Sequence, residues 1–264
     1  MKTHTKRMTT LKLTLLSFFF TMNILSLQAS PARQFYQLII YHLADKTQEE
    51  RLDQFLFEAY LPELHRSGIA SVGVFKTLNI DTATKKRTYV LIPFRSLEEF
   101  HAASRLFENP ALMKKGGDYL LTAHDKPVYI RKESILMEAF SGMPELIKPQ
   151  LNGPRNEQVY ELRSYESASE ALYLNKVAMF NDGEIDIFKN IGSQPLFFGE
   201  VLAGNSMPNL MYMTAYENMN SRNEKWNIFS KNLKWKEMSS DPQYQNNMNK
   251  ANVYYVTPTD YSDF

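Results

Sequence analysis

The 264-residue chain has no cysteine, so it carries neither a disulfide nor a lipid-modified cysteine. Its fold must be held by its core alone, which a chain of this length can bury. It has no excess of basic charge: the formal net charge is +1. That argues against a nucleic-acid partner, which needs a basic face for its phosphates. There is no Gly-x-Gly-x-x-Gly after a strand, no phosphate-binding Gly-Lys-Ser/Thr loop and no Gly-x-Ser-x-Gly elbow, which argues against nucleotide-dependent enzymes and serine hydrolases. Lys114-Lys115-Gly116-Gly117 lacks the glycine spacing of a phosphate loop and reads as a helix stop. Outside the first 29 residues the histidines are His42, His65, His101 and His124. None stands at metal-ligand spacing from another. Although folding could gather them around a haem or a metal, the simpler reading is surface or locally hydrogen-bonded histidines, with no metal or other cofactor.

Long apolar runs are also missing, except at the start. Residues 1–29 have a basic beginning (Lys2, Lys6, Arg7), an apolar Leu11–Leu27 stretch and a small residue at Ala29, the layout of a secretory signal cleaved after Ala29. Lys12, Thr14, Ser17, Thr21 and Asn23 interrupt the apolar stretch, which makes it short for a permanent span of about 20 residues. The expectation is an exported protein, periplasmic or extracellular, with no stable membrane span after cleavage. Those 29 residues hold four basic and no acidic side chains, so the remainder has a formal charge of −3.

What the chain does have is composition ordinary for a globular protein, 44% hydrophobic and 22% charged. It also has a pattern written twice. Phe35-Tyr36-Gln37-Leu38-Ile39-Ile40-Tyr41 and Val159-Tyr160-Glu161-Leu162-Arg163-Ser164-Tyr165 both read as strands, 124 residues apart. Helices are expected over 47–68 and 169–192, each closed by a glycine, Gly68 and Gly192. Pro62 is expected to kink the first or to start a new segment, and Asn181-Asp182-Gly183 to interrupt the second. Strands at 71–80 and 87–94, joined by the polar loop Asp81–Lys86, match strands at 195–204 and 210–217. Helices at 96–107, capped by Ser96 with Glu99, and at 221–231 follow. A short helix over 111–121 and strands at 128–136 and 251–258 complete the pattern. Residues 141–157, rich in proline and glycine, read as a linker.

Each half therefore runs β-α-β-β-α-β, the split pattern of ferredoxin-like units. Such a unit leaves one sheet face bare, and the natural cover is the other unit's bare face. The expected fold class is α+β, two tandem ferredoxin-like βαββαβ units forming an intrachain dimeric α/β-barrel. It would be a monomeric pseudo-dimer or a higher homo-oligomer.

Four spaced stretches resemble the NIPSNAP family: Val159–Tyr165; Ile187-Phe188 with Gly192; Phe197–Gly204; and Met207–Met213. Trp226, Phe229, Trp235 and Lys236 continue the likeness over 158–258. The first half is a weaker copy, with Ile39 where Arg163 stands and Ala103 and Leu112 where Trp226 and Trp235 stand. The resemblance implies the dimeric α/β-barrel superfamily, which includes cofactor-free monooxygenases and haem-using enzymes; the family itself has no settled chemistry. The expected division is a signal peptide at 1–29, a degenerate first domain at 33–140, a linker at 141–157 and a NIPSNAP domain at 158–264.

Side chains alternate along a strand, so Glu161, Arg163 and Tyr165 share a face. They are expected to face the barrel interior, with Tyr160 and Leu162 turned to the helices. An Arg flanked by a carboxylate and a phenol suits a small carboxylate or polar ligand, and equally a structural ion pair. Tyr41, Tyr165, Phe198, Tyr212 and Trp235 would supply an aromatic lining. The ligand-binding candidates are Glu161, Arg163, Tyr165, Tyr41, His42, Tyr212 and Trp235, for a small apolar or carboxylate ligand. Trp226, Phe229 and Leu233 read as core. The readings in play are a small-molecule binder, a cofactor-independent monooxygenase or isomerase with Tyr165, Arg163 or His42 as polar catalysts, and a non-catalytic interaction module. A filled barrel with Glu161 and Arg163 paired to one another would speak against both the small-molecule binder and the oxygenase or isomerase, and an open cavity would keep both.

Overall fold

In the computed structural model, which describes residues 32–78 and 86–264, eight antiparallel strands close into one barrel. The expected signal peptide, and all of the Asp81–Lys86 loop but its last residue, lie outside the described residues. In the first half β1 (Phe35–His42) is central, flanked by β3 (Arg87–Phe94) and β4 (Arg131–Ala139), with β2 (Gly73–Thr77) beyond β3. In the second half β5 (Val159–Glu166) is central, flanked by β7 (Asn209–Tyr216) and β8 (Lys250–Pro258), with β6 (Gln194–Ala203) beyond β7. The β2–β8 and β4–β6 pairings join the two four-stranded sheets and close the ring. Residues 31–264 form one compact unit. No described helix is long and apolar enough to cross a membrane.

Helices cover each sheet on its outer side. The first helical layer opens with α1 (Lys46–Phe55), a π turn (Leu56–Tyr60) and α2 (Leu61–Arg66), with Pro62, which has no N–H to donate, at the second position of α2 directly after the π turn. In the second half α6 (Glu170–Met179), a π turn (Phe180–Glu184) and α7 (Ile185–Asn190) repeat the arrangement at the same 124-residue offset. Gly68 (φ 96°) and Gly192 (φ 75°) end these layers in the left-handed region that favours glycine. Then come α3 (Leu97–Ser104), α4 (Pro110–Lys115) and α5 (Gly117–Leu120) in one half, and α8 (Met219–Lys231) and α9 (Leu233–Ser240) in the other.

The fourth strand begins at Arg131 rather than Val128. Val128 is buried in the helix-side core, so the apolar run that imitates a strand start belongs to the packing of the preceding loop. Leu233 is a second correction. It is 81% exposed, because Asn232 caps a new helix and turns Leu233 away from the core that Phe229 joins.

Three apolar clusters result. One fills the barrel, with Tyr36, Phe75, Tyr89, Tyr160, Phe197 and Met213 among its large side chains. Eight strands leave an interior just wide enough for side chains, and here the middle is full. The end of the barrel beyond Tyr160 is stoppered by Phe264, whose ring lies 6.2 Å from that of Phe75. Gly73 permits this: a Cβ there would sit 2.5 Å from the Phe75 ring and 2.6 Å from that of Phe264. The other two clusters lie between each sheet and its helices.

Candidate functional site

The faces of β5 are the reverse of the expectation. Tyr160 and Leu162 point into the barrel, while Tyr165 points at the helices, and Glu161 and Arg163 with it. The physical reason lies in the partners. A buried carboxylate needs counter-charge and donors, and α8 supplies both through Arg222 and Trp226. Glu161 is fully buried, and both its oxygens are occupied. Oε1 accepts from Arg163 Nε at 2.6 Å and Arg222 Nη2 at 3.0 Å, and Oε2 from Arg222 Nε at 2.7 Å and Trp226 Nε1 at 2.8 Å. The Arg163 guanidinium also lies 3.8 Å from the centre of the Trp226 ring.

The chain of contacts continues inward. Arg163 Nη1 donates to Tyr165 Oη at 2.9 Å, and Tyr165 Oη lies 2.9 Å from Tyr212 Oη. Burial opposes the charge of Arg163, yet Tyr212, Tyr165 and Glu161 around it raise its pKa above the ordinary guanidinium value. Burial also holds the Tyr165 and Tyr212 phenols above theirs, so both stay protonated. Past Tyr212 lies a second buried pair, Lys176 with Glu184, at 2.9 Å. Trp235 closes the layer from outside, its ring 4.6 Å from Phe229. The geometry is that of a strut. Both carboxylate oxygens of Glu161 are engaged, and each nitrogen of the Arg163 guanidinium faces a partner within the protein.

Of the residues singled out in the sequence, the structure thus gathers Glu161, Arg163, Tyr165 and Tyr212, with Trp235 at the edge. Tyr41 is elsewhere, buried in the first half's helix layer, 5.7 Å from Tyr129. The aromatic side chains expected to line a site in the barrel or between sheet and helices all lie between sheet and helices, Phe198 included.

His42 is placed differently again, at the open end of the barrel. There β1 and β5 finish and β3, β4, β7 and β8 begin, and a cavity of about 180 Å³ opens. Ile40, Tyr89, Ile135, Met211 and Tyr254 form its floor; His42, Arg87, Glu133, Ser164, Asn209 and Asn252 form its walls, with Asn205 and Ser206 from the β6–β7 turn. His42 Nε2 lies 2.6 Å from Glu133 Oε1. Asn205 Nδ2 donates to Glu133 Oε2 at 2.5 Å, and Arg131 Nε approaches Oε1 at 3.5 Å. Ser164 and Asn209 bond each other across the β5–β7 pair, and Asn252 donates to Glu166 at the rim.

Apart from His42, these wall residues were not singled out in the sequence, although a signal exists. On six strands the inward-facing position turns polar at this one end: Ile40 gives way to His42, Leu162 to Ser164, Tyr89 to Arg87, Ile135 to Glu133, Met211 to Asn209 and Tyr254 to Asn252. Reading it requires knowing which face is inward. Among the described residues no group of three or more His, Asp or Glu could hold a metal ion.

Two sheets of order 4-1-3-2 closed face to face define the dimeric α/β-barrel class, here in one chain. Residues 160–263, in the second half of the chain, match the NIPSNAP family model. Among solved structures, a candidate monooxygenase from Lactobacillus acidophilus is 11% identical, with a TM-score of 0.56 over 86% of this chain and 94% of its own. A candidate monooxygenase from Fusobacterium nucleatum is 7% identical, with a TM-score of 0.54 over 86% of this chain and 93% of its own. At these identities the likeness is one of fold. A NIPSNAP family protein from Agrobacterium tumefaciens, 15% identical, covers 45% of this chain and 97% of its own with a TM-score of 0.37. No curated protein matches the chain.

Proposed function

We propose that the protein binds a small molecule at the open end of its barrel. The observation that carries this is the cavity of about 180 Å³, with an apolar floor and convergent polar walls drawn from both halves of the chain. That combination is the usual make-up of a ligand site, where apolar surface gives affinity and a few fixed polar groups give orientation. A cavity of about 150 Å³ holds benzene, so the occupant is sized as a single ring bearing hydrogen-bonding groups.

Ligand-observed NMR with single-ring compounds tests the reading. Hits should compete with one another, and Asn252→Trp, which places an indole in the opening, should weaken them by at least about tenfold, or about 1.4 kcal/mol. Hits that bind the variant undiminished would place the site elsewhere. A second reading, an oxygenase or isomerase without a bound cofactor, is favoured by one feature of the same cavity, the His42–Glu133 pair.

Export remains part of the proposal, supported by the layout of residues 1–29. N-terminal sequencing of the protein recovered outside the cytoplasm should begin at Ser30. A start at Met1 would indicate an uncleaved anchor.

A further inference from the structure

We propose that His42 and Glu133 form a proton-accepting dyad, and that the ligand is an acidic ring hydroxyl, a phenol or a cyclic enol, whose proton His42 takes. The inference rests on the binding reading above and deepens it.

The argument begins with the carboxylate. An ionised carboxylate only accepts hydrogen bonds. With Glu133 Oε1 at 2.6 Å from His42 Nε2, that nitrogen must carry the proton. Asn205 holds the other oxygen from the opposite side, so the carboxylate cannot swing away from the imidazole. In the neutral imidazole, a ring nitrogen held as donor to the carboxylate leaves the other as the acceptor. Among the described residues nothing hydrogen-bonds to His42 Nδ1, and the ring lines the cavity. The pair is mostly buried, with side chains 15% and 17% exposed. The arrangement is therefore a base oriented by a carboxylate and turned to a ligand-sized space, the relationship that acid–base chemistry requires.

The charges around it favour an anionic product. Besides Glu133 they are Arg131 on β4 and Arg87 on β3, and Arg87 walls the same cavity. Glu166 on β5 stands at the rim, already paired with Lys250 of β8 at 3.0 Å. When a ring hydroxyl meets Nδ1, the O–H bond breaks and an N–H bond forms. The electron pair stays on oxygen, and the resulting phenolate or enolate sits beside an imidazolium and a guanidinium. No oxidant, reductant or co-reactant is consumed. His42 is the acceptor that touches the ligand, and Glu133 is a positioning residue that acts through it.

The probe is 4-nitrophenol, whose anion is coloured and whose neutral form is not, mixed with the full-length protein. Bound probe should ionise at a pH about one unit below free probe, which corresponds to about tenfold tighter binding of the anion than of the phenol. His42→Phe should abolish the shift, so that whatever probe it binds ionises at the free pH, and Glu133→Gln should shrink it, since an amide can donate to Nε2 and reverse the tautomer. Imidazole ¹⁵N shifts of the wild-type protein give a readout free of any folding effect: Nδ1 should be unprotonated in the free protein and protonated with probe bound. Probe that binds but ionises at its free pH, or a shift that survives His42→Phe, overturns the dyad while leaving the binding site standing. Failure of 4-nitrophenol to bind, when other rings do bind and are lost in Asn252→Trp, overturns the hydroxyl assignment alone. Loss of every ring ligand removes the site itself.

Discussion

Glu161→Leu should cost about 3–5 kcal/mol of stability, the usual penalty for removing one partner of a buried ion pair. At about 2–4 °C per kcal/mol for a chain of this size, the melting temperature should fall by about 10 °C. The cause is what remains, not what is removed. Arg163 and Arg222 would face each other across a carboxylate-sized gap, and Trp226 Nε1 would lose its acceptor. Arg222→Met should be milder, about 1.5–3 kcal/mol, because Glu161 keeps Arg163 and Trp226 and only charge-assisted hydrogen bonds are lost. Urea unfolding of the two variants decides the matter. Should Glu161→Leu prove no worse than Arg222→Met, the carboxylate is not the hub of this layer.

The architecture was more legible than the site, for a definite reason. Strand β5 has the bounds its alternation implies, Val159–Glu166, and the interruption expected at Asn181-Asp182-Gly183 falls inside the π turn Phe180–Glu184. These are local properties: period, caps, glycine and polar breaks. Which face of β5 looks inward is not local. Period-two alternation separates Tyr160 and Leu162 from Glu161, Arg163 and Tyr165 but carries no sign, because both faces of this sheet are buried. The sign is set by Arg222 and Trp226, about 60 residues away on α8. With that sign reversed the polar ends of the six strands point apart on paper, and His42 is only a histidine on a strand.

The asymmetry between the halves sharpens the assignment of roles. In the first half Gln37 occupies the place of Glu161 and bonds Ser134, Ile39 replaces Arg163, and Ala103 and Leu112 replace the two tryptophans. That half folds on the same plan with no carboxylate at the place of Glu161, so the plan does not require an ion cluster there. The cavity, in contrast, draws on both halves: His42, Arg87 and Glu133 from the first, Ser164, Asn205, Asn209 and Asn252 from the second. Neither half alone would build it.

The Lys176–Glu184 pair offers the second large effect, and its sign depends on how many partners change. Both side chains are almost wholly buried, 6% and 4% exposed, Lys176 on α6 and Glu184 at the last position of the π turn. Burial pushes the Glu184 carboxyl above its ordinary value, with Lys176 and Arg163 pulling it only part of the way back. The folded state therefore holds a proton at Glu184 more readily than the unfolded chain. Stability from this group is greatest below the ordinary carboxylate value of about 4.3 and declines as pH rises from there through the folded value. Glu184→Leu alone should destabilise by about 3 kcal/mol, the low end for a broken buried pair. Stranded Lys176 would still lie 4.7 Å from the Phe180 ring centre and 5.7 Å from that of Trp235, which offsets part of the loss. Lys176→Met with Glu184→Leu removes both desolvation costs and fills the same space with apolar atoms, so the double variant should equal or exceed the wild type at pH 7 by up to about 4 kcal/mol. Its advantage should shrink as the pH is lowered toward about 4, where the wild-type carboxyl is already protonated. Thermal unfolding of the wild type, both singles and the double at the two pH values closes the cycle. A double variant as unstable as Glu184→Leu would mean that the ion pair itself, rather than the packing around it, holds the π turn against the sheet.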